Sequence, residues 1–411
     1  MADDTASGLR QRRARLLQSV LVGVVALGAT GSAAELPMTA HHEPTLAAWP
    51  QFRGPTGDGI SDEQGLPLTW SPTQNVAWKV SIPGLGRSSP VILGNRLWIT
   101  TAVKAPAEGE RAEGGNAGTP SPGRASPTGG LSLVVLCLDR ASGALFYQTE
   151  LFSVEHPGPI HDLNSHATPT PVAEAGRLYC DFGDYGTACL EASTGRVLWK
   201  TRLPVDHQLG PGSSPVLWKD RLILVRDGCD AQYVAGVDTS SGRLAWRTER
   251  PPIQAEGPAY KKSFSTPLLV NTGGRVQAII PGPHWVISYE PGTGQEIWRV
   301  RHGKGYSIGP RPVYGNGMVY VCTGDYVAQL WAMRVDGHGD VSSTHVVWKA
   351  TTQIPLMASP LLVGGELYMV SDNGMASCLD ASNGKLLWRE RLGGNHAASP
   401  AYADEIGRAH V

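Results

Sequence analysis

Five cationic or imidazole side chains recur at one register of this sequence. Aligned on a proline that opens an apolar pair, Arg87, His166, Lys262, Arg311 and His396 take matching places, with Asn164, His207 and Asn395 nearby. Guanidinium, ammonium and imidazole groups brought to one place would bind an anionic or peptide ligand through charge-assisted hydrogen bonds. The same groups would equally satisfy loop carbonyls and waters, and the spacing leaves both readings open. The run His161-Asp162-Leu163-Asn164-Ser165-His166 is the most polar of these stretches. His284-Trp285 reads either as a knob that contacts a peptide or as an exposed turn residue beside a packed aromatic. The turns at Asp184, Asp325 and Asp372 read as loop chemistry.

No arrangement for catalysis stands out. The chain lacks a Cys-x-x-Cys-His haem site, a Gly-x-Ser-x-Gly elbow, a His-Glu-x-x-His zinc helix and a phosphate-binding loop. No metal-ligand set is apparent, because Asp336-Gly-His-Gly-Asp340 carries too few carboxylates for a calcium loop. With 35 basic and 36 acidic residues, net charge −1 and no basic cluster beyond the N-terminus, nucleic acid is not an expected partner. Of six cysteines, Cys137, Cys189 and Cys378 share one slot, Cys-Leu-Asp/Glu, which suits a small buried residue. Cys180 and Cys189 flank the loop 183–186 at equal distances, so a cross-strand disulfide between them is considered.

The N-terminus reads as an export signal over residues 1–34. Arg10, Arg12, Arg13 and Arg15 precede the apolar run Val20 to Ala29, and Ser32-Ala33-Ala34 supplies a cleavage site. An uncleaved anchor is the alternative, yet no apolar run reaches the roughly 18 residues of a membrane helix. A periplasmic or secreted protein without a membrane span is expected, preceded by an extension, 35–74, that docks on the main domain.

The elements that must position these residues form a repeat of about 45 residues. Each unit runs: small residue, Pro, apolar pair, turn, Arg-Leu-aromatic strand, a strand ending Leu-Asp, a Gly turn, and a strand closing on an aromatic. Tyr147, Trp199, Trp246, Trp298, Trp348 and Trp388 are the closing residues, expected in the seams between units. Fifty glycines and 31 prolines suit many short strands with tight turns. The fold class is therefore all-β, a propeller of four-stranded blades spanning 75–404. Residues 104–130 form a Gly/Pro/Ser/Glu-rich insertion expected to be disordered. Trp78 precedes the first opening strand and is expected in a strand that completes the final blade. About six blades are complete, the C-terminus is expected to be truncated, and 405–411 reads as a non-native, adapter-derived tail outside the fold.

Leu190-Glu-Ala-Ser-Thr-Gly-Arg-Val-Leu-Trp199 and Leu379-Asp-Ala-Ser-Asn-Gly-Lys-Leu-Leu-Trp388 resemble the repeat motif of the PQQ-binding-like propellers. That family includes quinoprotein alcohol dehydrogenases and BamB-like proteins, and the likeness covers about Trp49 to Asp404. The opening Trp49-Pro-Gln-Phe-Arg-Gly-Pro-Thr-Gly-Asp-Gly59 resembles an exported bacterial subgroup. The resemblance implies about eight blades in an intact protein. It also implies two functional readings: a non-catalytic scaffold for protein or peptide partners without a cofactor, or a dehydrogenase using PQQ with calcium. The adjacent cysteines of the quinoprotein enzymes are missing here, which favours the scaffold.

Overall fold

The computed structural model describes residues 48–104, 129–324, 328–404 and 406–408. The expected export signal, most of the insertion and Asp325 lie outside the described residues. Six antiparallel sheets follow one another along the chain, each laid down from the innermost strand outward. Blade 1 comprises Val91–Leu93, Arg96–Lys104, Leu131–Asp139 and Leu145–Val154; blade 2, Val172–Glu174, Arg177–Asp181, Thr187–Glu191 and Val197–Thr201. Blade 3 comprises Val216–Trp218, Arg221–Asp227, Gln232–Asp238 and Leu244–Glu249; blade 4, Leu268–Thr272, Arg275–Gly282, Trp285–Tyr289 and Glu296–Arg301. Blade 5 has Val313–Gly315, Met318–Cys322, Leu330–Arg334 and Val346–Ala350; blade 6 has Leu361–Val363, Glu366–Val370, Met375–Asp380 and Leu386–Arg391. The chain is a β-propeller, and its apolar core lies in the seams between blades.

One device builds every blade. The pairing of third and outermost strands slips by one residue just before the closing aromatic, as between Val197 and Trp199 against Leu190 and Cys189. The same bulge occurs in blades 1, 3, 4, 5 and 6. A bulge turns the following side chain out of the sheet's ordinary alternation. The aromatic then faces Cys137, Cys189, Gly236, Ser288, Ala332 or Cys378, and only a small residue fits beneath the ring. All six cysteines are free and buried. The register also excludes the Cys180–Cys189 disulfide. Cys180 pairs with Ala188 and Tyr179 with Cys189, so the two sulfurs point to opposite faces of the sheet.

Four of the turned-out rings dock on the next blade. Trp199 donates to the carbonyl of Thr239 at 2.9 Å, Trp246 to Pro291 at 3.2 Å and Trp348 to Ala381 at 3.0 Å; Tyr147 donates to Ala192 at 3.0 Å. Every acceptor immediately follows the acid of an Asp/Glu-x-x-x-Gly turn, and the ring covers that turn's glycine. At Gly242, with φ +71°, a Cβ would run into the Trp199 ring. Trp78 makes the same contact with blade 1, donating to Arg140 at 3.0 Å over Gly143, although it lies in no strand. Trp298 departs from the pattern. Blade 5 replaces the glycine turn with a longer loop whose residues Gly339–Asp340 pair parallel to Trp298–Arg299, and the buried indole bonds to Gln277 at 2.8 Å instead.

A seventh sheet holds Ala401–Ala403, Ile406–Arg408 and, in parallel, Ile60–Ser61. Of the expected tail 405–411, Ile406–Arg408 lies in this sheet, paired with Ala401–Ala403, and the other residues lie outside the described ones.

Near the axis the residue before each opening proline forms a belt. The backbone N–H of Ser89 donates to the Thr170 hydroxyl, Thr170 to Ser214, Ser214 to Thr266, Arg311 to Ser359 and Ser359 to Ser399, all at 2.9–3.0 Å. Replacing Ser214 by Ala leaves the buried N–H of Thr170 without its acceptor, and denaturant unfolding should show a loss of about 1–3 kcal/mol. The turn acids make a second test. Hydroxyls of Ser240 and Ser241, and their N–H groups, hold the Asp238 carboxyl down to about 2. A carboxyl held below its unfolded value stabilises above the ordinary carboxylate range, and that contribution disappears as pH falls through the folded value. Asp238→Asn should therefore lower the melting temperature at pH 7, with the difference closing toward pH 2.

Candidate functional site

The axis is filled by the chain itself. Ala48–Trp49 pairs with Ile92 and Leu93 of blade 1, and the carbonyl of Pro50 accepts from Ala173 in blade 2 at 2.8 Å. Arg311 of blade 5 replaces the belt hydroxyl and spends its guanidinium on the Phe52 carbonyl at 2.6 Å and the Pro267 carbonyl at 3.0 Å. Arg53 reaches the other way, to the carbonyls of Pro360 at 3.0 Å and Pro400 at 2.7 Å. The segment then turns at Gly57, which packs so close on the Arg311 guanidinium that no Cβ fits, and ends in Ile60–Ser61 against Tyr402–Ala403. Burial pulls Arg53 down to about 10 and Arg311 to about 9, with Arg53 adding to the effect at Arg311.

The remaining expected site residues do not converge. Asn164, His207 and Lys262 meet around the loop 207–211. Asn164 donates to the carbonyls of Leu209 and Pro211 at 2.8 and 3.0 Å. Lys262 donates to the carbonyls of His207 and Gly210 at 2.6 and 3.2 Å, and its Nζ lies 2.9 Å from His207 Nδ1. Burial first, then Lys262 and Arg226, hold the His207 pKa down at about 2. Lys262 is wholly buried and makes no ion pair among the described residues. His166 is buried against Tyr185, with ring centroids 5.5 Å apart, and burial lowers its pKa. His396 Nε2 lies 2.8 Å from the Gly393 carbonyl. Arg87 and Asn395 are exposed. His284, read as an exposed turn residue in one alternative, is 7% exposed, because the chain from Gly305 folds over its turn.

Two ion pairs escaped the sequence reading. Arg226 of blade 3 grips Asp181 of blade 2 at 2.6 and 3.1 Å, and Arg250 binds Asp227 at 2.7 Å, all four side chains buried. Their signal was present in Arg226-Asp227, a charged dipeptide closing the apolar strand Leu222 to Val225. No group of three or more His, Cys, Asp or Glu is placed for a metal ion among the described residues.

The blade-to-blade connections and the turns between second and third strands open on one end of the propeller. Exposed apolar side chains stand on those connections: Leu85 at 52%, Leu163 at 57%, Tyr260 at 38% and Met357 at 36%. Phe146, Leu198, Val347 and Leu387 are exposed for another reason, being the extra residues of the outer-strand bulges.

A family profile described as outer membrane protein assembly factor BamB matches residues 132–282 and 337–407, more than half of the chain. The chain belongs to this family. The BamB of Burkholderia pseudomallei (strain K96243) is 26% identical over 229 residues, 54% of this chain and 55% of the relative, so the chain spans about half the length of the curated relative it matches. BamB from Moraxella catarrhalis superposes with a TM-score of 0.49 at 11% identity, covering 69% of this chain and 80% of that one. The quinohemoprotein alcohol dehydrogenase of Comamonas testosteroni gives 0.46 at 11%, covering 86% and 74%. Membership of the BamB family thus rests on the sequence match, and the propeller on its own sheets.

Burial drops Lys262 to about 8, below its unfolded value. The folded state then holds fewer protons than the unfolded one between about pH 8 and the ordinary lysine value, so stability contributed at this site rises through that window. In Lys262→Met the rise should be missing. Melting curves at pH 7.5 and 10 for both proteins check this.

Proposed function

We propose that this chain is an exported, non-catalytic scaffold that holds protein partners on the end of the propeller carrying its blade-to-blade connections. The observation that carries the reading is the division of the molecule into a sealed axis and an apolar loop face. Residues 48–61 fill the axis, while Leu85, Leu163, Tyr260 and Met357 surround it with exposed apolar surface that no bulge or seam requires. The relative named as an outer membrane protein assembly factor supports the finer reading, a partner in the assembly of outer membrane proteins. The basic and apolar N-terminal run supports export to the periplasm or beyond. No helix among the described residues is long and apolar enough to cross a membrane.

The second reading, a dehydrogenase with PQQ and calcium, requires an axial cavity with free polar ligands. Arg311 and Arg53 are committed to carbonyls of the chain, Gly57 lies on the Arg311 guanidinium, and no cysteines are adjacent. These residues do not fit the cofactor, and no chemical step is derived through it.

Photo-crosslinking of the full chain in cell envelopes tests the scaffold. Leu163→Asp with Met357→Asp should abolish a crosslinked partner and leave the melting temperature unchanged, whereas Leu198→Asp with Val347→Asp on the bulges should keep it. Equal loss from both pairs would overturn the face assignment. Quinone absorbance and dye reduction after adding PQQ and calcium would reinstate the enzyme.

A further inference from the structure

A groove of about 280 Å3 opens on the loop face where blades 3, 4 and 5 meet. Gln254, Glu256 and Tyr260 wall it from the connection between blades 3 and 4. His284 comes from the two-residue turn of blade 4, and Lys304 and Tyr306 come from the connection between blades 4 and 5. Tyr260 and Tyr306 meet edge to face, with centroids 4.7 Å apart and planes at 90°.

Four observations limit what the groove takes. Its volume is below that of pockets for drug-sized ligands, so it admits about one large side chain. The backbone at His284 and Tyr260 is already engaged: His284 N–H donates to Gly305, His302 to His284 and Tyr260 to Gly257, while beside the groove Ser307 donates to Lys262. At these positions a partner strand has no free N–H to pair with, and recognition there falls to side chains. His284 sits at φ +66°, in the second place of a turn where Gly or Asn is the ordinary residue, and Ser307 at +49°. Backbone held in that region, with a bulky side chain turned into a groove, is a mark of a working site. Around His284 the charge is positive. Burial lowers the His284 pKa first, and Arg301 and Lys304 add to it with no carboxylate opposing them. Glu256 is the one acid on the wall.

We propose that the groove anchors one aromatic side chain from an extended acidic segment of a partner protein, the ring against Tyr260 and Tyr306 and a flanking carboxylate beside Lys304. This rests on the scaffold reading and deepens it. Aromatic anchors in small pockets carry much of the energy of protein interfaces, and tyrosine suits such walls because it combines apolar area with a polar tip.

Fluorescence polarisation of the full chain with a labelled Ser-Asp-Glu-Phe-Asp-Ser peptide is the test. Saturable binding is expected, weakened at least tenfold when the peptide's Phe becomes Ala or its acids become Lys. Tyr260→Ala should weaken it at least tenfold with an unchanged melting temperature, since that side chain is exposed. Lys304→Glu should reverse the preference toward the lysine peptide. His284→Asn relieves the backbone strain, and should hold or raise the melting temperature while weakening binding. No saturable binding, affinity indifferent to Tyr260→Ala, or an unaltered charge preference in Lys304→Glu would overturn the proposal. So would displacement of the peptide by an N-acetylglucosamine oligosaccharide, which would make the groove a glycan site. If Leu163→Asp with Met357→Asp loses its crosslinked partner while Tyr260→Ala keeps it, the scaffold stands and only the anchor falls.

Discussion

The structure depends on one contact repeated around the ring: an aromatic, turned out of its sheet by a bulge, closing on the carbonyl and glycine of the next blade's turn. Each part needs the others. Without the slip in register the ring would point along the ordinary alternation of the outer strand. With a larger residue than Cys, Gly, Ser or Ala beneath it, the ring could not lie flat. Without the left-handed glycine, a Cβ would stand in its path. The contact combines aromatic burial with a satisfied indole or phenol donor, so each seam is both apolar and specific in geometry.

Much of this was legible in the sequence because the repeat writes it out several times. The closing aromatics, the Gly turns and the shared cysteine slot all recur at fixed offsets, and Tyr147, Trp199, Trp246 and Trp348 occupy equivalent seams. Trp298 does not, and the reason was also in view: the turn after it lacks the glycine at the usual distance. The Cys180–Cys189 pairing failed on a half-step of register, since equal distance from a loop does not fix which residues face each other when a short 3-10 turn, Gly183–Tyr185, closes it.

The candidate site was less legible. Alignment on the opening proline collected residues that share a register but not a destination, because the preceding connections differ in length and path. Asn164, His207 and Lys262 met; Arg311 went to the axis; His166 and His396 stayed with their own loops. The groove at Tyr260 and Tyr306 comes from three separate connections, and nothing local in the chain announces that they touch. Arg53 was hidden for a related reason, since its acceptors at Pro360 and Pro400 lie 307 and 347 residues away.

That separation has a kinetic consequence. The segment around Arg53 is synthesised before any blade, yet the carbonyls it binds exist in place only after blades 6 and 7 have formed. The central thread must therefore wait, tethered at blade 1, while the ring grows past it. Long-range closure of this kind is slow because chain entropy is lost before the contact is gained. The last event in folding then falls to the earliest residues, and a nascent chain stalled short of its seventh sheet would leave the Arg53 guanidinium without its Pro400 acceptor.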